Sequence, residues 1–253
     1  MRRFCVLLAG VLAAILLAGP AVCQEEPPLP NEKWSFSGLF GSFDLAAAQR
    51  GFWVYKNVCA NCHSMTQLHY RDLAGIGLTD AQIRAIAASI QVPKGVNDQG
   101  QPIEGPATPA DQFRSPFPNE EAAAAALGGA VPPDLSLIVN AREGHADYVY
   151  GILTGFTDAP KGFEVPPGRF YNEYFPGHLI AMPPPLQPDI VDFADGTKAT
   201  VPQMAHDVVT FLAWAANPEL VQRKEIGVRV VLFLLLMMGL TYAVKRKVWS
   251  DQH

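Results

Sequence analysis

The stretch Cys59-Ala60-Asn61-Cys62-His63 constrains this chain more than any other. Two cysteines three apart can each form a thioether with one vinyl group of a single haem. The histidine that follows is then held where it serves as an axial ligand to the iron. Two other chemistries use such a cysteine pair. A structural zinc site needs a second Cys or His pair at a defined spacing, and no cysteine follows Cys62. A redox dithiol needs the pair at a helix start within a βαβ pattern, whereas here it follows a stretch that reads as a helix. Haem of this covalent type is attached outside the cytoplasm, so the reading requires an exported chain.

The first 23 residues read as an export signal. Arg2 and Arg3 precede an uncharged apolar run from Phe4 to Ala18, and Gly19-Pro20-Ala21 supplies small residues for cleavage after Ala21 or Cys23. A lipid-modified Cys23 is the alternative, which Pro20 and Val22 fit poorly. Cys5 is lost with the signal, and no pair remains for a structural disulfide. At the other end, Ile226 to Val244 is an apolar run of 19 residues, about 29 Å as a helix against a hydrocarbon core of ~30 Å. Its one charge, Arg229, lies near the start and can snorkel to the headgroups. Lys245, Arg246 and Lys247 follow and predict a C-terminus in the cytoplasm. The expected layout is a signal peptide over 1–23, a periplasmic haem domain over 24–221 and a transmembrane anchor with a short tail over 222–253. That makes a single-pass protein of the bacterial inner membrane.

The 253 residues, 49% hydrophobic and 17% charged, suit one globular domain plus membrane-directed segments. The 22 prolines and 21 glycines predict a loop-rich fold. Charge follows the same boundaries: residues 24–221 hold 11 Lys and Arg against 22 Asp and Glu, a net of −11. Such a domain is no nucleic-acid binder; it suits a basic protein partner, while a charge excess by itself is as well explained by solubility.

Within the domain, Asp44 caps a helix from Leu45 to Val58, and Thr79 with Gln82 forms a capping box for a helix through Ile90. Gln91 to Phe117 reads as a long loop. Asn119 caps Glu120 to Leu127, Asp134 to Arg142 reads as helical, and Asp147 to Thr154 as a short helix stopped by Gly155. Ile190 to Phe193 with Asp195-Gly196 carries a hairpin signal. Thr200 and Gln203 form a second capping box for a helix to Ala216, which can pack against the helix before the cysteines.

The iron's other face calls for a ligand from Met65, His69, His145, His178, Met182, Met204 or His206. Met65 and His69 follow His63 too closely to reach the opposite face. Met182 stands in Ile180-Ala181-Met182-Pro183-Pro184-Pro185, where prolines fix the backbone path, although a Met beside prolines also serves as core filling. Met204 and His206 fall at a helix start, which favours packing or surface roles.

A longer set of stretches carries a family resemblance: Ser115-Pro116-Phe117-Pro118-Asn119, Pro132-Pro133-Asp134-Leu135-Ser136, Ala141-Arg142, Asp147-Tyr148-Val149, Leu153-Thr154-Gly155, Tyr174-Phe175-Pro176-Gly177 and Ala181-Met182, continuing through Asp207 to Ala215. With the haem motif, this ordered set resembles cytochrome c1, the haem subunit of the cytochrome bc1 complex. The resemblance implies a mainly α, class I cytochrome c-like haem domain with long loops and a small hairpin, plus one C-terminal transmembrane helix. It implies one covalent haem c on Cys59 and Cys62, His63 and Met182 as axial ligands, Arg142 as partner to a haem propionate, Tyr148 near the haem, and a carbonyl near Pro133 holding the far nitrogen of His63. It further implies cytochrome b and a Rieske iron-sulfur protein as partners in a dimeric complex, and a soluble cytochrome c as acceptor. An electron-transfer role with no substrate bound to iron follows. A membrane-anchored cytochrome c serving another oxidase or dehydrogenase, or an anchored thiol-disulfide oxidoreductase, are the alternatives. Departures from the family pattern include His145 where glycine is usual, His178 after Pro176-Gly177, and Pro183 after the ligand methionine.

Overall fold

The structure is a computed structural model that describes residues 27–252; the expected signal over 1–23 and Cys23 lie outside them. Its centre is a crossing of two helices. Helix α1 spans Leu45–Asn57, and the Asp44 carboxylate accepts from the free amides of Ala46 and Ala47 at 3.0 and 3.1 Å. Its buried face, which includes Ala48, Gly51, Phe52 and Tyr55, meets a helix formed 150 residues later in the chain. At the crossing Gly51 leaves no room for a side chain against the Asp207 backbone. Phe52 and Tyr55 close on Phe211, with ring centroids 5.6 and 5.9 Å apart.

Shorter elements intervene, among them three helices and a 3₁₀ turn. Helix α2, Asp80–Ala88, starts at the expected reciprocal box: Gln82 N donates to Thr79 Oγ1 and Thr79 N to Gln82 Oε1. It packs on a 3₁₀ turn over Tyr70–Ile76. Helix α3, Glu120–Ala126, is capped by Asn119, whose side chain accepts from Ala122 N at 2.8 Å. Helix α4, His145–Thr154, packs against the later helix. Asp147 in its first turn accepts from Trp34 Nε1 at 2.7 Å and from Glu32 N at 3.2 Å, which ties the N-terminal segment down.

Helix α5, Val201–Ala216, is that later helix, with Pro202 in its first turn. Thr200 accepts from Gln203 N at 3.3 Å, but the expected reciprocal bond is not made: the Gln203 amide donates to Asp207 instead, at 3.1 Å. Asp207 is a fully buried carboxylate. It takes two bonds from Arg50, at 2.7 and 3.0 Å, and Arg50 also reaches Asp195 at 2.9 Å. After the break at Asn217, helix α6 runs over Leu220–Val248 with its apolar side chains exposed. At 29 residues it measures about 43 Å, enough to cross a bilayer. The fold is mainly helical, with one helix among the described residues long and apolar enough to span a membrane.

Three further expectations need correction. The segment from Gln91 to Phe117 is not a plain loop: strands β1, Gln91–Val96, and β2, Pro102–Pro106, pair antiparallel with an irregularity between Pro93 and Gly95. Its turn is built by Asn97, whose side chain accepts from the amides of Gln99 and Gln101. The prolines are tolerated because each strand has a free edge. The hairpin expected around Asp195-Gly196 has a turn but no strands. Asp195 is drawn to Arg50 and to Thr197 N, and one bond from Asp189 N to Ala199 O joins the arms. Finally, 134–142 folds as successive turns, because Asp134 and the Leu135 amide bond to the segment behind His63 rather than to a helix of their own. A second two-stranded piece, β3 Phe170–Tyr171 with β4 Leu179–Ile180, carries the chain up to Met182.

Candidate haem site

Helix α1 ends at Asn57 and the chain tightens into a 3₁₀ turn over Cys59–Asn61. The carbonyl of Cys59 accepts from the amides of both Cys62 and His63, at 3.1 and 2.9 Å, so both thiols and the imidazole spring from one turn. The Asn61 side chain donates to the carbonyls of Asn57 and Val58, closing the helix end beneath them. Cys59 and Cys62 are both free thiols, half-buried. Burial, with Cys62 adjacent, pushes the Cys59 thiol up to about 12, so in the bare chain it stays protonated.

His63 Nδ1 lies 2.8 Å from the carbonyl oxygen of Pro133. A carbonyl only accepts, so Nδ1 carries the proton and Nε2 presents its lone pair. Burial lowers the basicity of the ring, outweighing the opposing effect of the Pro133 carbonyl, and this favours the neutral form that binds a metal. The loop bearing Pro133 is itself fixed. Asp134 accepts from Ser64 Oγ at 2.8 Å, Thr66 N at 2.8 Å, Thr66 Oγ1 at 3.0 Å and Ser136 N at 2.8 Å. Leu135 N donates to Ser64 O, and Gln67 N to Ser136 Oγ. Burial alone would raise the Asp134 carboxyl, but the bonds from Ser136, Thr66 and Ser64 prevail and hold it below the ordinary carboxylate range. In the sequence Asp134 reads as a helix start; its local signal is instead that of an aspartate closing a turn on the backbone amide two residues ahead, here Ser136 N.

The remaining predicted residues sit on separate elements. Met182 follows β4 and is half-buried, with Leu186 buried just beyond. The approach to it is rigid: His178, at φ 61°, stacks on Tyr171 at 5.3 Å and its Nδ1 faces Asn172 O at 3.2 Å. Arg142 is exposed just ahead of α4 and donates to its neighbour's carbonyl, that of Ala141. Tyr148 lies in α4, half-buried against the core. The other candidate ligands have their own places. Met65 and Met204 are wholly buried in the core. His69 lies against Asp72 at the start of the 3₁₀ turn, His145 Nδ1 faces Val139 O at 3.1 Å, and His206 stacks on Trp34 at 4.9 Å.

The donor set fits haem better than a metal held by protein alone. Among the described residues no three His, Cys, Asp or Glu side chains group to hold an ion. What the turn offers is two free thiols and one imidazole with its far nitrogen already bonded.

The Cytochrome C1 family model matches residues 34–252. The chain belongs to the cytochrome c1 family. Among relatives, it is 44% identical over 260 residues to cytochrome c1 of Rhodospirillum rubrum, which takes in 96% of this chain and 95% of that one. It is 45% identical over 222 residues to the mitochondrial cytochrome c1 heme protein of Saccharomyces cerevisiae, covering 87% and 72%. A Bradyrhizobium diazoefficiens protein named cytochrome b/c1 is 47% identical over 246 residues; the match covers 88% of this chain but only 36% of that protein. For a cytochrome c1, covalent haem c and electron transport are the cofactor and the task that the Cys59–His63 motif predicts.

Proposed function

We propose that this cytochrome c1 is the electron-carrying subunit of a cytochrome bc1 complex, that Cys59 and Cys62 anchor its haem c, and that His63 and Met182 ligate the iron. Bound haem supplies a one-electron ferric/ferrous couple with both axial positions filled, and so no open position for substrate. The observation that carries the reading is the 2.8 Å bond from His63 Nδ1 to Pro133 O. It fixes the tautomer and the ring orientation, and it raises the donor strength of Nε2. Met182 is favoured because each competing Met or His has a structural task of its own. Arg142, exposed beside α4, suits a carboxylate such as a haem propionate. Tyr148, half-buried in the first turns of the same helix, is assigned to the haem wall.

In this role the subunit takes one electron from a Rieske iron-sulfur protein and delivers it to a soluble cytochrome c, while quinol is handled by cytochrome b in a dimeric assembly. The Bradyrhizobium relative's name joins b and c1, which supports a partnership with cytochrome b. The haem domain, residues 24–221, is assigned to the periplasm of a bacterium. Lys245, Arg246 and Lys247 at the end of α6 support a short cytoplasmic tail closing the membrane anchor of 222–253. The test is purification from the membrane. Covalent haem should survive denaturation, and cytochrome b and an iron-sulfur subunit should co-purify and support quinol-driven reduction. Covalent haem without those partners would return the chain to a cytochrome serving another oxidase or dehydrogenase.

A further inference from the structure

The segment between Trp34 and Phe43 ends in an apolar tip that the haem chemistry does not use. Leu39 is 63% exposed and Phe40 84% exposed, although the rings beside them, Phe36 and Phe43, pack into the domain. The tip is a built turn: Ser37 N donates to Trp34 O and Ser42 N to Ser35 O, Gly38 has φ 71°, and Gly41 has no room for a side chain against Ser37 O. From Ser35 to Ser42 there is no charge, in a domain of net −11.

The turn is fastened to the membrane helix. Lys224 Nζ, in the second turn of α6, donates to Phe36 O at 2.7 Å and to Gly41 O at 3.1 Å, one carbonyl on each side of the exposed pair. Ile226, where the apolar run begins, lies two residues further on, about 3 Å along the axis at 1.5 Å per residue. The headgroup layer is roughly 5–7 Å deep on each side of the hydrocarbon core. We infer that Leu39 and Phe40 enter the lipid interface beside α6, as a second membrane contact that seats the haem domain at a set height. The occupant is lipid because the tip is apolar and uncharged, is tied by Lys224 to the turn of α6 just before its lipid-facing run, and the start of that helix carries Arg223, Lys224 and Arg229 against the single acid Glu225, a basic excess that suits headgroup phosphates. An acidic surface at that level would be repelled by an anionic leaflet.

This rests on the reading of α6 as a membrane helix, so the test reports on the two separately. Nitroxide labels are placed at Phe40→Cys, at Leu234→Cys in mid-α6 and at Asp98→Cys on the exposed turn of the β1–β2 hairpin. The full haem-bearing chain is studied in vesicles of phosphatidylcholine with phosphatidylglycerol, and again within the complex isolated from membranes. Relaxation by oxygen, which concentrates in lipid, is compared with relaxation by an aqueous nickel chelate. Position 40 should show an oxygen-to-nickel ratio nearer that of position 234 than that of position 98, in both settings. A ratio matching position 98 overturns the inference and leaves the anchor reading intact, whereas a water-like ratio at position 234 in vesicles overturns the anchor reading and the inference with it. A label at 40 that is lipid-exposed in vesicles but shielded from both reagents in the complex also overturns it, because a partner subunit then covers the tip.

Discussion

Gly51 rests directly against the backbone carbonyl of Asp207, and the Phe211 Cβ would lie 2.8 Å from any Cβ added at Gly51. Neither neighbour is the end of a flexible side chain, so Gly51→Ala must push α1 and α5 apart. The expected cost is ~1–3 kcal/mol, the usual range for overpacking, read from denaturant midpoints of the haem-loaded protein. A variant as stable as the parent would mean that the crossing yields freely.

Asp207 should make stability fall in acid. Its carboxyl is pulled below the ordinary range: burial, the largest influence, would raise it, but the bonds from His206, Arg50 and Gln203 and the Arg50 charge prevail. A carboxylate depressed by folding stabilises the protein above its unfolded value of ~3.9, and that contribution is lost as pH drops through the folded value. Asp134 and Asp195, the latter at about 2 chiefly through the Thr197 amide, act in the same window. Asp207→Asn should cost about 1–3 kcal/mol near neutrality, because Arg50 loses its buried charged acceptor and keeps only the partly exposed Asp195. It should also flatten the acid limb of stability against pH, and an unchanged limb would refute the assignment.

Asp134→Ala removes the acceptor for Ser64, Thr66 and Ser136. Each stranded partner costs on the order of 1 kcal/mol or more. The Pro133 carbonyl should then lose its register on His63. Haem should remain attached while the reduction potential shifts and its spread widens, as measured by redox titration. A loss of stability with an unmoved potential would make the network a brace for the fold alone.

Met182→Leu should lower the potential by a visible part of the ~0.8 V span that axial ligands command, because a thioether favours ferrous iron. The thioether-to-iron absorption band should vanish. If both are unchanged, the sixth ligand lies elsewhere, and His178 would be tested next.

Glu120 and Glu121, both exposed in the first turn of α3, are proposed to steer a basic acceptor. Oxidation of the reduced protein by a basic cytochrome c should slow as salt rises, since the attraction reaches over a Debye length of ~8 Å at physiological salt. Neutralising both should lower the low-salt rate by up to about tenfold. A flat salt profile would leave the acidity as a solubility feature.

The helices were legible where local rules decide them. Asp44, Thr79 and Asn119 cap their helices as read, because a side-chain oxygen two or three residues ahead of a free amide needs no tertiary help. The differences fall where a partner outside the local motif claims the side chain: Asp134 accepts from residues near His63, Asp195 accepts from Arg50, and Gln203 donates to Asp207 one turn on rather than closing its cap. The β1–β2 hairpin was hidden by its prolines, which a two-stranded piece can place on free edges. At the site, the motif turn is evident from five consecutive residues, while the clamp on His63 spans a separation that no local pattern reveals.

That separation has a consequence for the order in which the site is made. Pro133 stands 70 residues after His63, so during synthesis the motif is complete while the segment that will grip its imidazole is still to come. A chain made only as far as the motif therefore carries a histidine whose ring still turns freely. The carbonyl arrives as a later fitting, which lets the motif be short and generic while the loop, built afterwards, sets the tautomer and orientation of this particular histidine.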